Sequence, residues 1–180
     1  MLGYAFCGSF CTHAKSLAAL RQLIQDGHEV LPIMSEIVYT TGTRFGTAAE
    51  LILNVETLCG RPVIHTIKDA EPLGPKINLE LLIISPCTGN TLAKMASGIT
   101  DTAVTMAAKA QLRSNRPLLI ALASNDALSA NLKNIAAMSQ RKHVYFAPME
   151  KDDPDGKPYS LVCDFTALPS QVKTILGQYK

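Results

Sequence analysis

The sequence predicts an α/β fold of the doubly wound kind, a mostly parallel six-stranded sheet with helices on both faces. Three observations lead there. Short apolar runs alternate with helical patterns along all 180 residues, the order expected of strands joined by right-handed crossover helices. The run "INLELLIIS" (Ile77–Ser85) is almost continuously apolar, as a central parallel strand covered on both sides must be. Hydroxyl and amide side chains gather where strands hand over to helices, the rim at which such sheets bind ligands.

Taken in order, "GYAFCG" (Gly3–Gly8) reads as the first strand. "THAKSLAALRQLIQDG" (Thr12–Gly27) follows as a helix, with Leu17, Leu20, Leu23 and Ile24 at helical spacing and Gly27 as its stop. "HEVLPIMS" (His28–Ser35) is the second strand, and Pro32 inside it points to an irregular or edge position. The second helix is Thr47–Gly60, the third strand "RPVIHTI" (Arg61–Ile67) and the fourth Ile77–Ser85. A helix from about Asn90 breaks at Gly98, and a second runs from Asp101 to Asn115. "RPLLIALAS" (Arg116–Ser124) is the fifth strand, Ala127–Gln140 a helix, and "KHVYFAP" (Lys142–Pro148) the sixth strand. Glu150–Ser160 is a charged loop rich in Pro and Gly, and Thr166–Lys180 closes the chain as a helix.

No repeat, low-complexity tract or linker divides this pattern, so residues 1–180 are expected to form one domain. With 47% hydrophobic and 18% charged residues the chain is globular in composition. Seventeen basic against fifteen acidic residues leave +2, too little to mark nucleic acid or an anionic membrane as the main partner. The N-terminus lacks a basic region ahead of its apolar stretch, and no run approaches the ~20 apolar residues of a membrane span. A cytoplasmic location is therefore expected. Five scattered cysteines without a CxxC pair argue against a disulfide framework or a structural zinc site, and no metal ligands are assigned.

The strand ends share one chemistry. Gly8, Ser9, Phe10, Cys11 and Thr12 follow the first strand, and Ser35 ends the second. Ser85, Thr88, Gly89, Asn90 and Thr91 follow the fourth, and Ser124, Asn125 and Asp126 the fifth. Any one of these groups serves well as a helix cap. Their convergence on one rim suits an anion, because helix N-termini offer unpaired N–H groups and nearby hydroxyls complete a cradle. GxxxxGK[ST] is absent, which argues against a P-loop. "GSFCTH" stands where a dinucleotide fold carries GxGxxG. A mononucleotide phosphate is the better match.

"PCTGNTLAKMASGITD" (Pro86–Asp101) resembles the signature of the homo-oligomeric flavin-containing cysteine decarboxylases, and "GSFCT" and Ser35 match that family's phosphate loops. The resemblance covers nearly the whole chain. It implies a Rossmann-like flavoprotein fold, flavin mononucleotide (FMN) as cofactor and a trimer-based homo-oligomer. By position, Gly8, Ser9, Phe10 and Ser35 would face the flavin phosphate and ribityl chain. Ser85, Thr88 and Thr91 would add hydroxyls, Gly89 would admit the backbone, and Ser124 and Asn125 would meet flavin or a substrate carboxylate. Asp101 matches a family acid with a structural role, and Lys94 reaches toward solvent.

"GYAFCGSFCTHAKSL", "RPVIHTIKDAEPLGPK" and "ALASNDALSANLKNI" are similar to one kind of member in particular. That member acts as one half of an oxidoreductase, with a partner resembling a nicotinamide-dependent dehydrogenase. The implied reaction aromatises a dihydropyridine dicarboxylate in the mother cell of a sporulating bacterium, with NAD(P) entering only through the partner. Asn125 and His65 are the candidate catalytic residues, His65 as an acid/base because histidine is the side-chain type suited to proton transfer at neutral pH. "ALASND" lacks the Pro and Met of the decarboxylases' Pro-x-Met-Asn segment, which argues against decarboxylation and leaves the flavin fold untouched. Two alternatives stay open: a partner chain that is non-catalytic or only holds FMN, and a stand-alone flavin-dependent decarboxylase. His13 is expected to face solvent at a helix start, and no thiol chemistry is expected of Cys11 or Cys87.

Overall fold

A computed structural model describes residues 1–179. Its parallel strands are β1 (Leu2–Phe6), β2 (Val30–Met34), β3 (Leu81–Cys87), β4 (Leu118–Ser124) and β5 (Val144–Phe146). Two further strands, β6 (Met149–Glu150) and β7 (Leu161–Cys163), form an antiparallel hairpin. The lateral order is β2-β1-β3-β4, then β7-β6, with β5 also beside β4. The chain winds outward from β1 to β2, then returns to place β3 on the other side of β1. The direction of winding thus reverses between β1 and β3, where open sheets hold their ligands.

The helices are α1 (His13–Gln25), α2 (Glu36–Thr40), α3 (Ala48–Cys59), α4 (Ile67–Ala70), α5 (Gly89–Ala96), α6 (Ala103–Arg113), α7 (Leu132–Ser139) and α8 (Leu168–Gly177). Strand alternation explains why both faces are covered. In β3, Leu82 and Ile84 point to one side and pack with Val104 and Ala107 of α6. Leu81 and Ile83 point to the other and pack with Leu20 and Leu23 of α1 and Val172 of α8. Every residue of β1, β3 and β4 is buried. Each large aliphatic chain so enclosed contributes about 1.5–3 kcal/mol.

The sheet has seven strands where six were expected, and the difference has two parts. Arg61–Ile67 does not form a strand: among the described residues its only ladder contact is a parallel bridge from Ile64 to Ile33. Pro62 has no N–H to extend the ladder backward, and Thr66 caps α4 by accepting a hydrogen bond from the Asp69 amide. The β6–β7 hairpin frames the charged loop, to which sequence periodicity assigns no structure. Elsewhere the boundaries shift inward. Asp126–Asn131 forms turns before α7 begins at Leu132, and Lys180 of the expected closing helix lies outside the described residues.

Caps account for the helices that sit where expected. Thr47 and Glu50 form a reciprocal capping box at α3, and Gly60 ends that helix at φ 63°, a left-handed conformation that costs other residues more. Among the described residues no helix is long and apolar enough to cross a membrane.

Candidate functional site

A cavity of about 820 Å³ opens at the carboxyl ends of β1, β3 and β4. Gly8 and Ser9 line it from the loop after β1, Thr88 and Gly89 from the junction of β3 and α5, and Ser124 and Asn125 from the end of β4. Six of the expected site residues therefore share one hollow. The charged loop closes the far side, bringing Asp152, Lys157 and Tyr159 to the wall. It is held there because β7 pairs with the end of β4, Leu161 opposite Ser124, and because the Leu128 amide donates to the Tyr159 carbonyl at 2.9 Å.

Thr88 caps α5, accepting from the Thr91 amide at 3.2 Å. The first amides of α5 consequently face the cavity with the positive end of an eight-residue helix behind them. Across the hollow, Ser124 Oγ donates a short hydrogen bond to Asp126, and Asn131 Nδ2 donates to both Asp126 oxygens at 2.9 Å. These donors, Ser124 first, hold the Asp126 carboxyl below its ordinary value against the opposing effect of burial. A Cβ on Gly89 would stand 2.5 Å from Asn131 Nδ2 and 2.8 Å from Asp126 Oδ1. Glycine is required there so that α5 can pack on this network, and not only to admit a ligand. Sequence reading missed Asn131 altogether; its signal was the recurrence of amides over Ser124–Asn131.

Ser85 and Thr91 stand apart from the expected cradle. Ser85 is fully buried; its Oγ accepts from Tyr4 Oη at 2.9 Å, and Ser16 Oγ donates to the Ser85 carbonyl at 2.6 Å. Burial pushes the Tyr4 phenol well above its ordinary value, only partly offset by Ser16 and Ser85. Ser85 thus ties α1 to the sheet from within. Thr91 points back under α5, accepting from Thr88 Oγ1 at 3.1 Å and donating to Cys7 Sγ at 3.3 Å. Three residues, the step from the cap to the third position of α5, separate the rim residue Thr88 from the inward-turned Thr91.

Ser35 is not among the residues lining the large cavity either, but its hydroxyl is unbonded where theirs are engaged. It is 7% exposed, and its Oγ is buried without a hydrogen-bond partner. Its amide bonds the Phe6 carbonyl at 3.0 Å, which places it at the same strand ends. Gly8 lies between these loops, with Ile37 Cγ2 at 3.4 Å and Thr88 Cγ2 at 4.0 Å from where a Cβ would sit.

Phe10 turns to the other side of its loop, into a separate cleft of about 390 Å³, and packs on His13 with ring centroids 5.1 Å apart. His13 is buried, contrary to the expected solvent-facing start. Its Nε2 lies 2.7 Å from the Cys7 carbonyl oxygen, and burial holds the imidazole below its ordinary 6.5. The ring braces the backbone that leads into Gly8. His65 does not line the large cavity; it stacks on Tyr39 at 3.6 Å with an interplanar angle of 8°. Lys94 does not run free to solvent. It pairs with both oxygens of Asp101 at 2.8–2.9 Å, which anchors the break between α5 and α6.

The residues present fit a flavin mononucleotide. An orphaned buried hydroxyl at Ser35, Ser9 on the cavity wall and the α5 start at Gly89 and Asn90 form a donor set suited to a phosphate ester, while the Thr88 hydroxyl is spent within α5. Among the described residues no cluster of His, Cys, Asp or Glu is arranged to hold a metal ion.

Comparison with known proteins agrees with this geometry. The family model described as Flavoprotein matches residues 2–175. The chain is 39% identical over 175 residues to the B subunit of dipicolinate synthase from Bacillus subtilis (strain 168), covering 97% of this chain and 88% of that protein. It superimposes on the crystal structure of the dipicolinate synthase B subunit from Bacillus halodurans C with a TM-score of 0.89 at 37% identity, over 97% of this chain and 90% of that one. The FMN-dependent cysteine decarboxylase SpaF shares the fold at a TM-score of 0.70 and 23% identity, over 98% and 95% of the two chains. A cavity built from phosphate-type donors at the winding reversal, on a chain matched from Leu2 to Ile175, makes this protein a member of the flavoprotein family.

Proposed function

We propose that this chain is the FMN-holding half of a two-component dipicolinate synthase that oxidises dihydrodipicolinate to dipicolinate. The observation that carries the proposal is the Ser35 hydroxyl, buried and unpartnered at the strand ends that the cavity residues share. An unpaired buried hydroxyl costs about 1–3 kcal/mol, a cost relieved when a phosphate oxygen accepts from it. The identity of 39% to a dipicolinate synthase B subunit supports the substrate.

In this reading Ser35, Ser9 and the Gly8 backbone hold the phosphate, and Thr88 turns its hydroxyl to the ligand or to Thr91. FMN supplies a two-electron acceptor when bound. Asn125, exposed on the cavity wall, offers an amide N–H to a substrate carboxylate. Asp126 stays ionised and fixes Ser124 and Asn131. Phe10 and His13 hold the phosphate loop from behind. Single copies bring no part of His65 to this cavity, so we assign it no proton transfer there.

The partner is the A subunit of dipicolinate synthase, through which NAD(P) enters. The mother-cell cytoplasm and a trimer-based homo-oligomer belong to the same proposal. α3 supports self-assembly: among its twelve residues only Val55 is buried, and Leu53 is 67% exposed.

The test is a titration of purified protein with FMN, followed by flavin fluorescence, and then turnover of dihydrodipicolinate with the A subunit. Saturable uptake, weakened by Ser35→Ala, and a rate lowered by Asn125→Ala are expected. No uptake and an unchanged rate would leave a partner chain without chemistry. Carbon dioxide release from this protein alone would instead indicate a stand-alone decarboxylase.

A further inference from the structure

The charged loop carries the one cationic side chain that the described residues place on the wall of the large cavity. Of the residues lining that hollow, Lys157 alone is basic, while Asp126 and Asp152 are acidic. Asp126 is fully engaged by Ser124 and Asn131. Asp152 pairs with Lys157, Oδ2 to Nζ at 2.9 Å, and both side chains are open to solvent, 55% for the lysine and 41% for the aspartate.

This ion pair is not what shapes the loop. The Lys157 amide donates to the Asp153 carbonyl at 2.8 Å, the Gly156 amide to Asp153 Oδ1 at 2.9 Å, and the Ser160 amide to the Lys157 carbonyl at 3.0 Å. The turn holds itself by these backbone bonds and the Asp153 carboxylate, and the pairing of β7 with β4 fixes it against Ser124. An exposed pair of this kind is weak, and a flexible ammonium exchanges partners readily. Donors that can serve an anion stand on the same wall, among them Ser9, Asn90 and Asn125.

We infer that Lys157 is the specificity-determining residue for a carboxylate-bearing small molecule in this cavity, and that Asp152 occupies its ammonium until that molecule displaces it. The inference rests on the proposed function for the identity of the dicarboxylate and on the geometry for the residue. Asp152 is already 41% open to solvent, so a ligand carboxylate can take its place on the ammonium while the aspartate turns to water.

The experiment is calorimetric titration of dipicolinate into the full-length chain, with and without FMN, beside a separate FMN titration of each variant. Lys157→Ala should weaken dipicolinate about tenfold, the scale of one charge-assisted hydrogen bond in a partly open site. Lys157→Arg should retain most of the affinity, and Asp152→Asn should tighten it by removing the competitor. FMN affinity should be equal in all four proteins. Equal dipicolinate affinity in wild type and Lys157→Ala overturns the inference, as does a wild type that takes up none. Lost FMN binding together with a preserved Lys157 effect would sink the flavin reading alone.

Discussion

Gly89 at the start of α5 lies so close to Ser124 at the end of β4 that a single added methyl group would overlap the serine hydroxyl and crowd Asn131 and Asp126. The three side chains it would meet are bonded to one another, so none can step aside without breaking a bond. Gly89→Ala is expected to lose about 1–3 kcal/mol, the usual cost of overpacking a filled site. Gly177→Ala is the control, because nothing stands within 4 Å of its added carbon. Paired thermal melts check this: the first variant should melt earlier and the second should not.

The two serines at strand ends should separate stability from ligand binding. Ser85→Ala removes an acceptor from Tyr4 deep in the core and is expected to destabilise by about 1–2 kcal/mol with FMN affinity unchanged. Ser35→Ala removes a buried hydroxyl that has no partner. It should leave the free protein as stable or slightly more so, and weaken FMN. Melting curves and flavin titrations on both variants give a two-by-two outcome. A destabilised Ser35→Ala with normal FMN affinity would remove Ser35 from the site.

How far these positions could be read from sequence follows from what sets them. The apolar runs Leu81–Ile84 and Leu118–Leu122 announce buried strands because no solvent face interrupts them. Loops after such strands must then meet at one rim, which is why Gly8, Ser9, Thr88, Ser124 and Asn125 were found together. Whether a hydroxyl turns out to the rim or back into the core is decided by its phase in the strand or helix, invisible without coordinates. Ser85 and Thr91 fell on the inner side for that reason. The β6–β7 hairpin escaped notice because strands of two and three residues have no period. Lys157 reaches the cavity only through that hairpin.

Asp126 should make stability depend on pH in acid. Its folded carboxyl lies below the ordinary 3.8, chiefly through the Ser124 hydrogen bond. A depressed folded value means the unfolded chain binds the proton more readily. The stabilisation is therefore complete above the ordinary value and is lost as pH falls through the folded one. Denaturant melts of wild type and Asp126→Asn from pH 7 down to pH 2 check this. Wild type should be the more stable at neutral pH, and the gap should close below about pH 4. A gap that stays constant would show that the charge on Asp126 contributes nothing.

Thiol reactivity should follow burial, residue by residue. Burial pushes Cys7 and Cys59 up to about 11 and Cys163 to about 12, and it carries Cys87 well above its ordinary range. The Thr91 hydroxyl at Cys7 lowers that thiol only in part. Because the thiolate is the nucleophile, these four should resist alkylation at neutral pH, whereas Cys11 is exposed on the loop between the two clefts. Iodoacetamide followed by peptide mass spectrometry is expected to label Cys11 first, with Cys59 slower and the buried three unmarked until the protein unfolds. Saturation with FMN should slow the Cys11 reaction, since Ser9 and Cys11 line the same hollow. Early modification of Cys7 would mean that the loop leading to Gly8 opens in solution and that His13 does not hold it.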